Sequence, residues 1–148
     1  QCRCTPNQIR AYLNKISGPL LDRIDLHIEV ESIPAEALAS PGDEEASAAV
    51  RSRVEAARGV QRARYEGQGI ACNARLGART LGPNCPMTPE AQKLLRDASE
   101  AMGFSNRAYT RVVKVARTIA DLAGGGPIET THVAEAVQYR ALDRKYWG

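Results

Sequence analysis

Arg23 stands at a corner from which a cation can be aimed away from its own core. Gly18-Pro19 breaks a preceding helix, Leu20 and Leu21 anchor a short turn, and Leu26, Ile28 and Val30 then alternate with His27 and Glu29 in the manner of a strand. An arginine at such a corner offers a planar, permanently charged fork that bridges phosphate oxygens two at a time. The rival reading is a surface arginine paired with Asp22 or Asp25. A second cation, Arg107, follows Ser105 at the start of a helix, where free N–H groups and the macrodipole already favour an anion. Around that helix Ala108, Val112, Val115, Ala116, Ile119 and Leu122 make an apolar face, and Arg107, Arg111 and Lys114, joined by Asp121, make the opposite stripe. A solvated helix surface competes with phosphate contact there, and Arg117 and Asp121 are spaced for an i, i+4 pair of modest worth.

Other reactive types are less pointed. Cys2-Arg3-Cys4 is half of a tetrahedral zinc set, and the other half is missing, so no metal is expected. Cys72 and Cys85 read as buried or incidental thiols, and His27 and His132 have no visible catalytic partner. Five arginines lie between positions 51 and 64. Arg51, Arg58 and Arg62 cluster on one side and could face DNA, but Glu55 interrupts the run and no aromatic platform is interleaved. Snorkelling arginines on a solvated helix are the alternative. Two things are missing from the sequence: a Gly-x-x-x-x-Gly-Lys-[Ser/Thr] run to cradle phosphate, and an apolar strand ending in paired acids to hold Mg²⁺.

The elements that must position these groups are mostly helices. Thr5-Pro6-Asn7-Gln8 is a capping box for a first helix carrying Ile9, Tyr12, Leu13 and Ile16. A strand at about 25–31 follows, then a Pro/Gly-containing linker at 32–43. A long helix is predicted over about 44–66, with Val50, Val54, Ala57 and Tyr65 on one side, and an irregular crossing over 67–87. Thr88-Pro89 opens a helix closed by Gly103, Ser105 caps one reaching Ala123, and a last helix begins near Thr130. The 148 residues carry a net charge of +3, too small a bias to argue for nucleic acid alone. No apolar run approaches the ~20 residues of a membrane span. The four cysteines, without other signs of secretion, fit a reducing cytoplasm.

The run Gly18-Pro19-Leu20-Leu21-Asp22-Arg23-Ile24-Asp25-Leu26 resembles a signature of the magnesium-chelatase-related AAA+ ATPases, in their ComM/YifB-like branch. Ser105-Asn106-Arg107 with Val115 to Leu122 resembles the lid helix of that family, and Gln138 to Arg144 its closing block. The resemblance implies that Arg23 is an arginine finger acting in trans on a neighbouring subunit's ATP, and that Arg107, or Arg111, is the sensor-2 arginine. It implies a mainly α fold: the end of an α/β AAA+ core over residues 1–31, then a linker over 32–43 and a helical C-terminal lid over 44–148. It also implies ATP and Mg²⁺ as cofactors of an intact protein, partner copies in a hexameric-type ring, and remodelling of a substrate, with DNA branch migration in natural competence as the leading role. Many relatives carry a further cysteine pair upstream of Cys2-x-Cys4. The chain begins with Gln1 and reads as a fragment that does not hydrolyse ATP alone. A non-enzymatic helical module binding DNA or protein, and the chelatase subunit of tetrapyrrole synthesis, are the competing functions.

Overall fold

The computed structural model describes residues 3–32 and 45–140. The fold is mainly α. Among the described residues there are seven α-helices, a single 3₁₀ turn and no β-strand. The first two helices, α1 (Pro6–Leu13) and α2 (Gly18–Leu21), precede the long α3 (Ser47–Arg64). After the 3₁₀ turn Asn73–Arg75 come α4 (Ala78–Asn84), α5 (Pro89–Met102), α6 (Asn106–Leu122) and α7 (Thr130–Gln138). No helix among the described residues is long and apolar enough to cross a membrane. Apart from Ser32, the expected linker lies outside the described residues, as do Cys2 and the end of the closing block.

The helix boundaries follow from side-chain chemistry. Thr5 Oγ1 accepts from the N–H of Gln8 at 3.3 Å while Gln8 Oε1 accepts from the N–H of Thr5 at 2.8 Å, a complete capping box behind Pro6. Thr88 and Ser105 accept from the N–H groups of Ala91 and Ala108 in the same way. Gly103 ends α5 with φ at 64°, a left-handed conformation that a side chain disfavours. His132 caps α7 by accepting from the Glu129 N–H at 3.0 Å, which gives that histidine a structural task.

The core lies among α5, α6 and α7, with the C-terminal half of α3 on the far side of α6. Leu95, Val112, Ala116, Ala120, Ile128 and Val133 are each at most 1 % exposed. Ile128 is fixed from both sides: its N–H donates to Pro86 O, and its carbonyl accepts from Thr88, forming a parallel bridge between the segments that precede α5 and α7. The irregular crossing expected over 67–87 contains the 3₁₀ turn and α4.

One expectation fails for want of a neighbour. Residues 25–31 form no strand among the described residues, because a ladder needs a second strand to take its N–H and C=O groups. Instead the His27 N–H donates to Tyr139 O at 2.9 Å, just beyond α7. Of the alternating residues only His27 turns inward, and Glu29 is exposed. Both ring nitrogens of His27 are closed to solvent, whereas Leu26, Ile28 and Val30 are 46, 66 and 86 % exposed. The apolar side of α1 is likewise uncovered, and no residue of that helix is buried. On α3, Ala57 and Tyr65 reach the core as expected but Val50 and Val54 stay exposed.

Candidate functional site

Leu21 is the buried anchor of α2, and the chain turns at Asp22 directly after it. Asp22 is held by two groups: its Oδ2 accepts from the Ser105 hydroxyl at 2.7 Å and its Oδ1 from Arg140 at 3.3 Å. Arg140 also donates to the Ile24 carbonyl at 2.6 Å, and Asp25 is paired with Arg111. Both acids that could have neutralised Arg23 are therefore engaged elsewhere. Arg23 itself is exposed and makes no ion pair among the described residues.

Ser105 joins this turn to the start of α6. Its Oγ accepts from the Ala108 N–H at 3.1 Å, so its own proton is directed to Asp22. Arg107 lies in that first helical turn, exposed and with no ion pair among the described residues. Arg111, a turn later, is the partner of Asp25 and thus bridges the two segments instead of standing open. Lys114 donates to the Ala74 carbonyl at 3.1 Å, and burial followed by the charge of Arg111 holds its ammonium below the usual lysine value. A cleft of about 290 Å³ opens between Leu26, Val115, Ile119 and Tyr139, with Asp25 and Lys114 at its edge. Its walls are mostly apolar, unsuited to a triphosphate.

Asp121 corrects the sequence reading. It does not join the outer stripe of α6: its side chain is fully buried. A helical wheel drawn for one contact face misses that α6 is covered by α7 on one side and by α3 on the other. Arg117, 1 % exposed, donates to Asp121 at 3.1 Å and to Gly126 O at 2.8 Å. Arg64 from α3 donates to the same carboxylate at 2.9 Å, and Asn73 does so at 2.8 Å. Tyr65 and Thr118 complete the network through Asn73. The Arg117–Asp121 pair is a buried junction of three elements, where sequence spacing suggested an intrahelical pair of modest worth.

Of the arginines considered for nucleic acid, Arg51, Arg58 and Arg62 are all exposed on α3. Arg58 also reaches the thiol of Cys72. Burial alone would raise that thiol, but hydrogen bonds from Arg58 and from the backbone of Ala74 and Arg75 outweigh it and bring it below the usual value. Cys85 is 5 % exposed, and burial pushes it up to about 11. A lower value leaves more thiolate at a fixed neutral pH. Iodoacetamide at pH 7.5 should therefore modify Cys72 well before Cys85. Arg58→Ala should raise the Cys72 value and slow its labelling at that pH, as followed by peptide mass spectrometry. Equal rates in the two proteins would show that Arg58 does not govern the thiol.

Among the described residues no group of three His, Cys, Asp or Glu could hold a metal ion, and Cys4 is exposed. The open guanidinium groups of Arg23 and Arg107 do fit contact with phosphate.

Comparison with known families matches residues 44–140 to magnesium chelatase, subunit ChlI C-terminal, and residues 1–38 to magnesium chelatase, subunit ChlI. The competence protein ComM of Haemophilus influenzae is 43 % identical over 143 residues, which is 96 % of this chain and 27 % of that protein. The uncharacterized protein YifB of Salmonella typhimurium is 42 % identical over 143 residues, covering 96 % of this chain and 28 % of its own length. YifB of Escherichia coli is 42 % identical over 145 residues, with the same shares. The chain thus spans little more than a quarter of the curated relatives it matches.

Proposed function

We propose, from the premise that this chain belongs to the magnesium chelatase subunit ChlI family, that it supplies the arginine finger and the lid of a ring-forming AAA+ ATPase. Arg23 is the finger, reaching the ATP of a neighbouring copy, and Arg107 is the sensor-2 residue. The observation that carries this reading is the state of the acids around Arg23. Asp22 and Asp25 are bound by Ser105, Arg140 and Arg111, which leaves Arg23 projecting alone from a pinned turn. The engagement of Arg111 with Asp25 favours Arg107 over Arg111 for phosphate. ATP with Mg²⁺ is the cofactor of the full-length protein. Within this chain the chemistry is confined to placing cations against phosphate oxygens.

The finer reading is remodelling of DNA of the kind needed in competence. It rests on the competence-protein relative and on the exposed row Arg51, Arg58 and Arg62. The sensor assignment is tested by ATP binding to the full-length protein. A charge-assisted hydrogen bond contributes about 1.5–3 kcal/mol, so Arg107→Ala should weaken ATP roughly 10- to 100-fold. Unchanged affinity would remove Arg107 from the nucleotide site.

A further inference from the structure

The turn bearing Arg23 is fastened on both sides of that residue, and every fastening leads to the helical part of the chain. At the preceding position Asp22 takes hydrogen bonds from Ser105 and Arg140. At the following position the Ile24 carbonyl takes one from Arg140 at 2.6 Å. Asp25 is paired with Arg111, and the His27 N–H is held by Tyr139 O at 2.9 Å. Arg140 is 1 % exposed, a costly place for a guanidinium, and its partners here come from 22–24, far away in sequence. Ser105 is at once the cap of α6 and a donor to Asp22. The backbone is therefore fixed around a side chain that is itself free.

We propose that Asp22, Asp25, Ser105, Arg111 and Arg140 form a clamp that makes the Arg23 turn and the first turns of α6 a single rigid body. They are positioning residues: they contact no nucleotide and act through Arg23 and Arg107. A displacement of the lid driven at Arg107 then carries Arg23 with it, so nucleotide contact at Arg107 moves the cation that Arg23 offers. This rests on the finger and sensor-2 readings above and adds the coupling between them. The clamp also accounts for Arg111, the alternative to Arg107 for the sensor-2 role.

The pair Asp25–Arg111 is the part open to substitution without threat to the fold, since the two side chains are 45 % and 31 % exposed. In the full-length protein, Asp25→Ala and Arg111→Ala should each speed hydrogen exchange in the peptide covering 20–30, with the α5–α7 core unchanged. Each should also lower kcat by roughly 10- to 100-fold, the scale of a small misplacement of a catalytic group, while the KM for ATP stays within about twofold. The charge-reversed pair Asp25→Arg with Arg111→Asp should recover both exchange protection and turnover. Unaltered exchange in the single variants, or faster exchange with full turnover, overturns the clamp. Arg23→Ala measured alongside separates the two ideas. If it abolishes turnover while the clamp variants remain active, only the clamp fails; if it is silent too, the finger reading fails.

Discussion

Replacing Arg23 by Ala in the full-length protein should cut ATP turnover by about 10³-fold or more, with ATP affinity changed little. The asymmetry follows from where the group acts. A finger meets the charge that develops on the transferring phosphoryl group, so its loss raises the barrier without removing a ground-state contact. Arg23→Lys should recover little of the loss, because a single ammonium cannot bridge two oxygens as the guanidinium fork does. If the finger acts in trans as proposed, the variant should also depress turnover in rings mixed with the unsubstituted protein. The structure makes this a clean substitution. Arg23 is exposed and has no ion pair among the described residues, so its truncation breaks no ion pair there. Steady-state ATPase assays with parallel nucleotide titrations provide the check. Undiminished turnover would return Arg23 to the rank of an ordinary surface residue.

Asp121→Ala should be the most damaging single change to the fold. Asp121 is a buried carboxylate receiving Arg64, Arg117 and Asn73, so its removal takes a partner from two guanidinium groups and an amide. Burial already pushes the charge of Arg117 toward loss, whereas the hydrogen bond to Asp121 raises the pKa of the more open Arg64. Arg117 has the most to lose, since it retains only Gly126 O at 2.8 Å among these contacts. Breaking a buried pair from one side costs about 3–5 kcal/mol. Against a typical total of about 5–15 kcal/mol, that is enough to leave the helical part partly unfolded near 37 °C. Arg53→Ala is the contrast: Arg53 pairs with Glu45 in an exposed bridge, and its loss should leave stability nearly unchanged. Urea titrations followed by circular dichroism would measure both. A shift below about 1 kcal/mol for Asp121→Ala would mean that the network does not hold the helices together.

What could be read from the sequence was local. Thr5, Thr88 and Ser105 announced their helices, and Gly103 a stop, because a cap and the group it satisfies lie within a few residues. The types and positions of Arg23 and Arg107 were likewise legible as candidates. Which arginines stand free was not, since that is decided by partners distant in the chain. Asp25 and Arg111 are 86 positions apart, Asp22 and Arg140 118 apart, and Arg64 and Asp121 57 apart. The misplacement of Asp121 has the same origin. Periodicity reports one buried face, and α6 has two, because α3 and α7 both pack on it. The strand over 25–31 failed because alternation describes a segment that can pair, without naming what it pairs with.

The long helix α3 carries a thermodynamic consequence of its own. From Ser47 to Ala56 every residue is exposed, and its first turn has neither a side-chain cap nor an acidic residue. Burial begins at Ala57 and returns one turn later at Gln61. A helical stretch this short is marginal in water when it must nucleate alone. It persists by elongation from the anchored end, where the packed turns have already met the cost of nucleation. Warming should therefore unzip α3 from Ser47 inward, a gradual loss of helix that ends where Ala57 enters the core and the remaining structure melts as one.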